Sequence, residues 1–238
     1  MAEVEEINMD TDPLRLEIVQ PQLFVFGETI EGTLELFPTV WGACEELVVQ
    51  DAAVRRKGVE KLLELNAPRL SPLVTYLFAT RLAEPDLELR KRVINALAGL
   101  LVIDQNGLAA PDNVRRTLHT CLSQMQQATI LALLEAGAAD PEMEASLAVL
   151  FNANPEAGIP LAEILAERKY ALGVRYQAVR LIRRVGYLDT VNELERLAVR
   201  LESRISGQQA MPFAPPAAQD ELGLLGEIRA ALLALREP

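Results

Sequence analysis

Apolar residues in the middle of the chain recur at helical spacing, and one arrangement of them returns several times. The segment VRRKGVEKLLEL at 54–65 is followed by LRKRVINALAGL at 89–100, MQQATILALLEA at 125–136 and VRYQAVRLIRRV at 174–185. The copies start 35, 36 and 49 residues apart. Their first column holds Val54, Leu89, Met125 and Val174, and their sixth holds Val59, Ile94, Ile130 and Val179. The ninth holds Leu62, Leu97, Leu133 and Ile182. Offsets of five and three put these columns on one stripe of a 3.6-residue helix. The smaller residues beside them, Gly58, Val93, Thr129 and Ala178, allow close approach of a neighbouring helix. Similarity at a period between 20 and 50 residues predicts an array of stacked units, in which no unit can bury its apolar face alone.

Partner helices are predicted between the copies. Ser71 is a candidate N-cap with Pro72 at the first helical position, and Leu73, Tyr76, Leu77 and Leu82 are read as its inward face. A second partner runs from Asp112 to Gln124 with Val114, Leu118, Cys121 and Leu122 as its stripe. Asp140 and Pro141 open another, carrying Met143, Leu147, Leu150 and Phe151, and PLAEILAERKY follows from Pro160. This extra pair of segments accounts for the long last spacing.

The ends read differently. Leu14, Leu16 and Ile18, and later Leu34 and Leu36, alternate with polar residues in a strand-like pattern. FGETIEGTLEL is similar to the opening strands of arrestin-type sandwiches, for which the chain has no remaining strands. A helix running from Glu28 towards Val48 would enclose Pro38 at a cost of about 3 kcal/mol. The expectation is therefore irregular or extended chain over 1–38, then a helix from about Thr39 to Val49. After a long charged helix over Leu188 to Ile205, the Gly, Pro and Ala content of 206–219 predicts a linker. Asp220 then caps a final helix over 220–238, whose Leu222, Leu225, Ile228, Leu232 and Leu235 form one stripe. That stripe is expected to fold back on the end of the array or to dock on another subunit.

Charge sharpens this division. Of the net −11, residues 1–50 carry −10, with eleven acids against Arg15 alone. An acidic terminal segment of this kind solubilises the chain or meets a basic partner. Only 5% of residues are aromatic although half are hydrophobic, which suits helix packing better than a β-sandwich. No apolar run nears the roughly 20 residues of a membrane span, and the first residues lack the pattern of a signal peptide. The expectation is a soluble, cytoplasmic protein. Cys44 and Cys121 fall within apolar helical patterns and are read as structural thiols.

Candidate chemistry is sparse. His119 is the single histidine, and its spacing from Cys121 points the two away from each other on a helix. No four-ligand zinc pattern, Gly-x-Ser-x-Gly elbow or phosphate-binding glycine loop occurs. Glu142 with Glu144, and Glu193 with Glu195, are two apart and face different sides. We therefore expect no catalytic centre, metal or cofactor.

Asp51 with Val54 and Arg55, and Asp86 with Leu89 and Arg90, write an Asp-x-x-Val/Leu-Arg entry to the repeated helix. That entry, with its apolar stripe and closing Leu, resembles the HEAT-repeat family over residues 40–205. The third copy lacks both polar residues, having Leu122 and Gln126; the fourth keeps Arg175 but has Ala171. The resemblance implies an all-α fold, a right-handed α-solenoid of about four HEAT-like helical hairpins over 39–205. It also implies that Asp51, Arg55, Asp86 and Arg90 tie neighbouring repeats together, and that the repeated second helices line a concave face. On that face stand Arg56, Lys91, Gln127 and Tyr176 in one column and Glu60, Asn95, Leu131 and Arg180 in the next. The expected function is a non-catalytic scaffold or adaptor binding a protein or peptide through Arg56, Glu60, Lys91, Asn95, Tyr176 and Arg180. The family also contains DNA glycosylases that hold a duplex in such a cleft, so nucleic-acid binding is the alternative. The sequence pI near 4.7 and the uncharged third copy stand against it. Bilin lyases with HEAT-like repeats share the architecture, but no lyase-specific residue matches.

Overall fold

Two columns of the repeated pattern decide the core. Val59, Ile94, Ile130 and Val179 are buried, as are Leu62, Leu97, Leu133 and Ile182. Each such side chain contributes roughly 1.5–3 kcal/mol relative to exposure. The computed structural model describes residue 34 and residues 37–209 and 219–237, and among these it is all-helical with no strand. The extended chain expected over 1–33 lies outside the described residues.

The first pair is α1 (Pro38–Val48) and α2 (Ala52–Glu64). Pro38 does not break α1 but opens it, at a position where its missing N–H has no helical partner to lose. Asp51 caps α2 by accepting from the Ala53 N–H. Gly58 lets the two helices close: a Cβ there would stand 2.8 Å from the Ala43 carbonyl oxygen and 2.9 Å from Glu46 Cβ.

The short α3 (Ala67–Leu70) follows a left-handed Asn66, and Ser71 then caps α4 (Pro72–Ala79) through the Val74 N–H. The inward face of α4 differs from the expected one. Val74, Thr75 and Phe78 are buried, whereas Leu73 and Tyr76 are exposed. The Thr75 hydroxyl donates to the Pro68 carbonyl at 2.5 Å, which satisfies a polar group inside the core and rotates the helix towards it. Asp86 caps α5 (Leu87–Leu101) from within, accepting from the Leu89 N–H.

Beyond α6 (Asp112–Ser123), the chain turns into α7 (Gln127–Ala139). A 3-10 turn at Pro141–Met143 leads to α8 (Glu144–Asn152), and another at Pro155–Ala157 leads to α9 (Gly158–Ala166). α10 (Leu172–Val185) ends on the left-handed Gly186, whose N–H bonds the Ile182 carbonyl. A turn at Leu188–Thr190 precedes α11 (Val191–Gln209), which takes in the first four residues of the expected linker. The last helix, α12 (Gln219–Arg236), packs on α10 and α11 of its own chain. Its buried residues are Leu224, Leu225, Ile228, Ala231 and Leu232, with Leu222 exposed, so the stripe is rotated from the expected one.

Candidate functional site

Three buried arginines occupy one column of the repeat, and all three bond to backbone carbonyls. Arg55 donates to the Val49 and Gln50 carbonyls just past α1, at 2.9 and 2.5 Å. Arg90 donates to the Glu84 carbonyl at 2.6 Å and the Ala132 carbonyl of α7 at 2.7 Å. Arg175 donates to the Leu165 carbonyl of α9 at 2.8 Å. The Val49, Gln50 and Glu84 carbonyls lie outside helices and that of Leu165 in the last turn of α9, where intrahelical donors are lacking, and a guanidinium supplies several. Glu84, 2% exposed, completes the first of these sites with bonds of 3.0 and 2.5 Å to Arg55, which hold the guanidinium above its usual pKa.

The residues expected to face a partner lie in a second, outer row of polar links. Arg56 pairs with Asp86 at 2.6 Å and Glu60 with Arg92 at 2.5 Å, joining α2 to α5. Lys91 meets Asp140 at 3.0 Å and Glu88 at 2.9 Å, and Asn95 accepts from the Ser146 hydroxyl, joining α5 to α8. Arg184 of α10 meets Glu144 of α8 at 2.9 Å. The Tyr176 hydroxyl donates to the Asp220 carbonyl, and Arg183 stands 3.5 Å from Glu227, joining α10 to α12. Burial, with Asp220 and Glu227 nearby, pushes the Tyr176 hydroxyl pKa up. Lys57 and Arg180 have no bonded partner among the described residues.

This row runs α2, α5, α8, α10, α12, and so it passes from the second copy to α8 rather than to α7. The copy read at 125–136 lies in α7, which supplies no partner to this row and meets α5 instead through Arg90, bonded to the Ala132 carbonyl and to Glu135. Gln127 opens α7, while Asp140 and Ser146 supply to α5 the links that Asp86 and Arg92 supply to α2, and Glu144 links onward to α10. α7 packs inside instead, with Ala132, Leu133, Leu134 and Ala136 all buried. A Cβ on Gly137 would stand 2.6 Å from a Leu147 methyl and 2.8 Å from Gln177. Its charge-poor sequence follows from that enclosure. Asp140, whose side chain accepts from the Glu142 N–H, begins the segment that takes up the row, as Asp51 and Asp86 stand at the starts of α2 and α5. Asp86 itself bonds Arg56 rather than either buried arginine of the motif.

Two features carried no sequence signal. Phe37 at the start of α1, and Trp41 and Val48 on it, are 56%, 54% and 61% exposed, and the Trp41 indole N–H donates to Glu45. At the other end, Arg168 and Arg204 converge on one carboxylate oxygen of Glu221, at 2.8 and 3.3 Å. Residues far apart in the chain meet there only through the docking of α12.

No three of His, Cys, Asp and Glu converge as a metal site among the described residues, and no described helix is long and apolar enough to cross a membrane. Burial pushes the Cys121 thiol pKa up, away from a reactive thiolate. Compared with protein-family models, curated proteins and solved structures, the chain matches none.

Proposed function

We propose that the chain is a non-catalytic adaptor, a right-handed array of HEAT-like hairpins that binds a protein or peptide along the row of second helices. The single observation that supports it best is the self-neutralised outer row. Arg56, Arg92, Lys91 and Arg184 each stand against a carboxylate of the neighbouring helix. Nucleic-acid affinity comes from cations free to replace counterions on phosphate, and cations already matched by carboxylates gain little there. A surface presenting both signs at helix spacing suits a protein partner of mixed charge, for which such patterns set register and specificity. The shared carbonyl-binding role of Arg55, Arg90 and Arg175 supports the repeat itself, since equivalent side chains then do equivalent work in successive units.

The test is capture of partners from nuclease-treated host lysate by wild type and by a Lys57→Glu/Arg180→Glu variant. Neither residue bonds a described neighbour, so the variant should melt like wild type. A protein retained by wild type and lost by the variant is the expected result. Retention unchanged by the variant, or retention only of nucleic acid when nuclease is omitted, would overturn the reading.

A further inference from the structure

Where α9, α10, α11 and α12 meet, positive charge exceeds negative. Arg168 and Arg204 share Glu221, which is 8% exposed. Arg175 is 5% exposed; its Nε is bonded, but its Nη2 is buried without a hydrogen-bond partner among the described residues. The charges acting on Arg175 are those of Arg204, Glu221 and Arg168, so it belongs to the same group. Burial, then Arg204, makes its positive charge harder to hold than usual. Arg200 makes only a 3.4 Å bond back to the Arg196 carbonyl and has no carboxylate partner among the described residues. Glu202, the acid nearest Arg200 and Arg204 in sequence, is taken by Arg229, and Glu167, beside Arg168, by Lys169.

Beside this group lies a cleft of about 400 Å³. Arg168, Arg200, Ser203 and Arg204 line it on the polar side, and Ala166, Leu197 and Val199 on the apolar side. Three guanidinium groups and no carboxylate line the cleft itself, which favours an anionic ligand there. Guanidinium forks also match the oxygens of a phosphate. The volume is that of a small-molecule site, with apolar walls and few polar anchors.

We propose that this cleft binds a phosphate monoester of a small, partly apolar molecule, with Arg200, Arg204 and Ser203 on the phosphate and Leu197 and Val199 against the organic group. Arg168 and Arg175 supply the surrounding positive field. Glu221 anchors two of the arginines so that their forks are held in place before the ligand arrives. The site is separate from the outer row and does not depend on the adaptor reading.

Calorimetric titration at fixed ionic strength tests it, with inorganic phosphate and phenyl phosphate as probes. Wild type, Arg200→Gln and Ser203→Ala are compared, with melting curves confirming that each is folded. Saturable one-to-one binding of both probes by wild type is expected, with phenyl phosphate at least tenfold tighter. Arg200→Gln should weaken both about tenfold or more, and Ser203→Ala by less. No saturable binding, equal affinity for the two probes, or an Arg200→Gln protein that binds as wild type does would each overturn the proposal.

Discussion

Lys91 on α5 reaches Asp140, the cap ahead of α8, across 3.0 Å. That pair repeats Arg56 of α2 with Asp86, the cap of α5, since each cation stands five residues after one cap and bonds the next. A single cap residue thus faces two ways, into its own helix and across to the preceding one. The relationship sets the order of the outer row and places α7 off it.

The two caps carry a dependence on pH. The Leu89 N–H and then Arg56 hold Asp86 below the usual carboxylate range, and Lys91 and then the Glu142 N–H do the same for Asp140. Because both folded values lie beneath the unfolded ones, their contribution is complete above about pH 4 and is lost as pH falls through the folded values. Asp140→Asn should lower the urea midpoint at pH 7, and by progressively less as pH is taken down through the carboxylate range. A loss equal at every pH would sink this account.

Glu84 is the buried partner on which Arg55 depends. Glu84→Ala leaves the guanidinium with its carbonyl partners but no carboxylate, at an expected cost of about 2–4 kcal/mol. Chemical denaturation measures it. A loss under about 1 kcal/mol would mean that the Val49 and Gln50 carbonyls suffice.

Gly58→Ala sets two effects against each other. Alanine favours a helix by about 1 kcal/mol over glycine, but its Cβ would meet the Ala43 carbonyl and Glu46 Cβ inside 3 Å. Overpacking against backbone costs about 1–3 kcal/mol, so a net loss is expected, with α1 displaced. A more stable variant would show that the α1–α2 contact yields easily.

Tyr187 fastens the turn after α10 to the turn after α8. Its hydroxyl lies 2.6 Å from the Phe151 carbonyl and 2.8 Å from the Asn154 carbonyl, and burial drives its pKa well up. Tyr187→Phe should cost about 1–2 kcal/mol and speed amide exchange at Asn154, whose N–H bonds Phe151. Unchanged stability would assign the link to packing alone.

Much of this was legible in the chain. The columns that begin at Val59 and Leu62 are core throughout, because their period is that of a helix and their partners are apolar. The Ser71, Asp51 and Asp86 caps were legible too, since capping is local. The rotation of α4 was not, because Thr75 enters the core through one hydrogen bond to Pro68 that no periodicity encodes. The position of α7 was hidden for a related reason. A helix apolar on most sides matches the repeat columns whichever way it faces, so resemblance alone could not separate an outer rung from an inner wedge. The Arg168, Arg204 and Glu221 cluster needs α12 in place, and a contact across more than fifty residues leaves no local trace.

Docking of α12 also has a consequence in time. α10 and α11 are synthesised before α12, so the surface that Leu224, Ile228 and Ala231 will cover has no partner until α12 follows. At roughly 5–20 residues per second, adding residues 210–236 takes about 1–5 s. The apolar strip on α10 and α11 is therefore closed last, by the final helix described, and folding of this end waits for it.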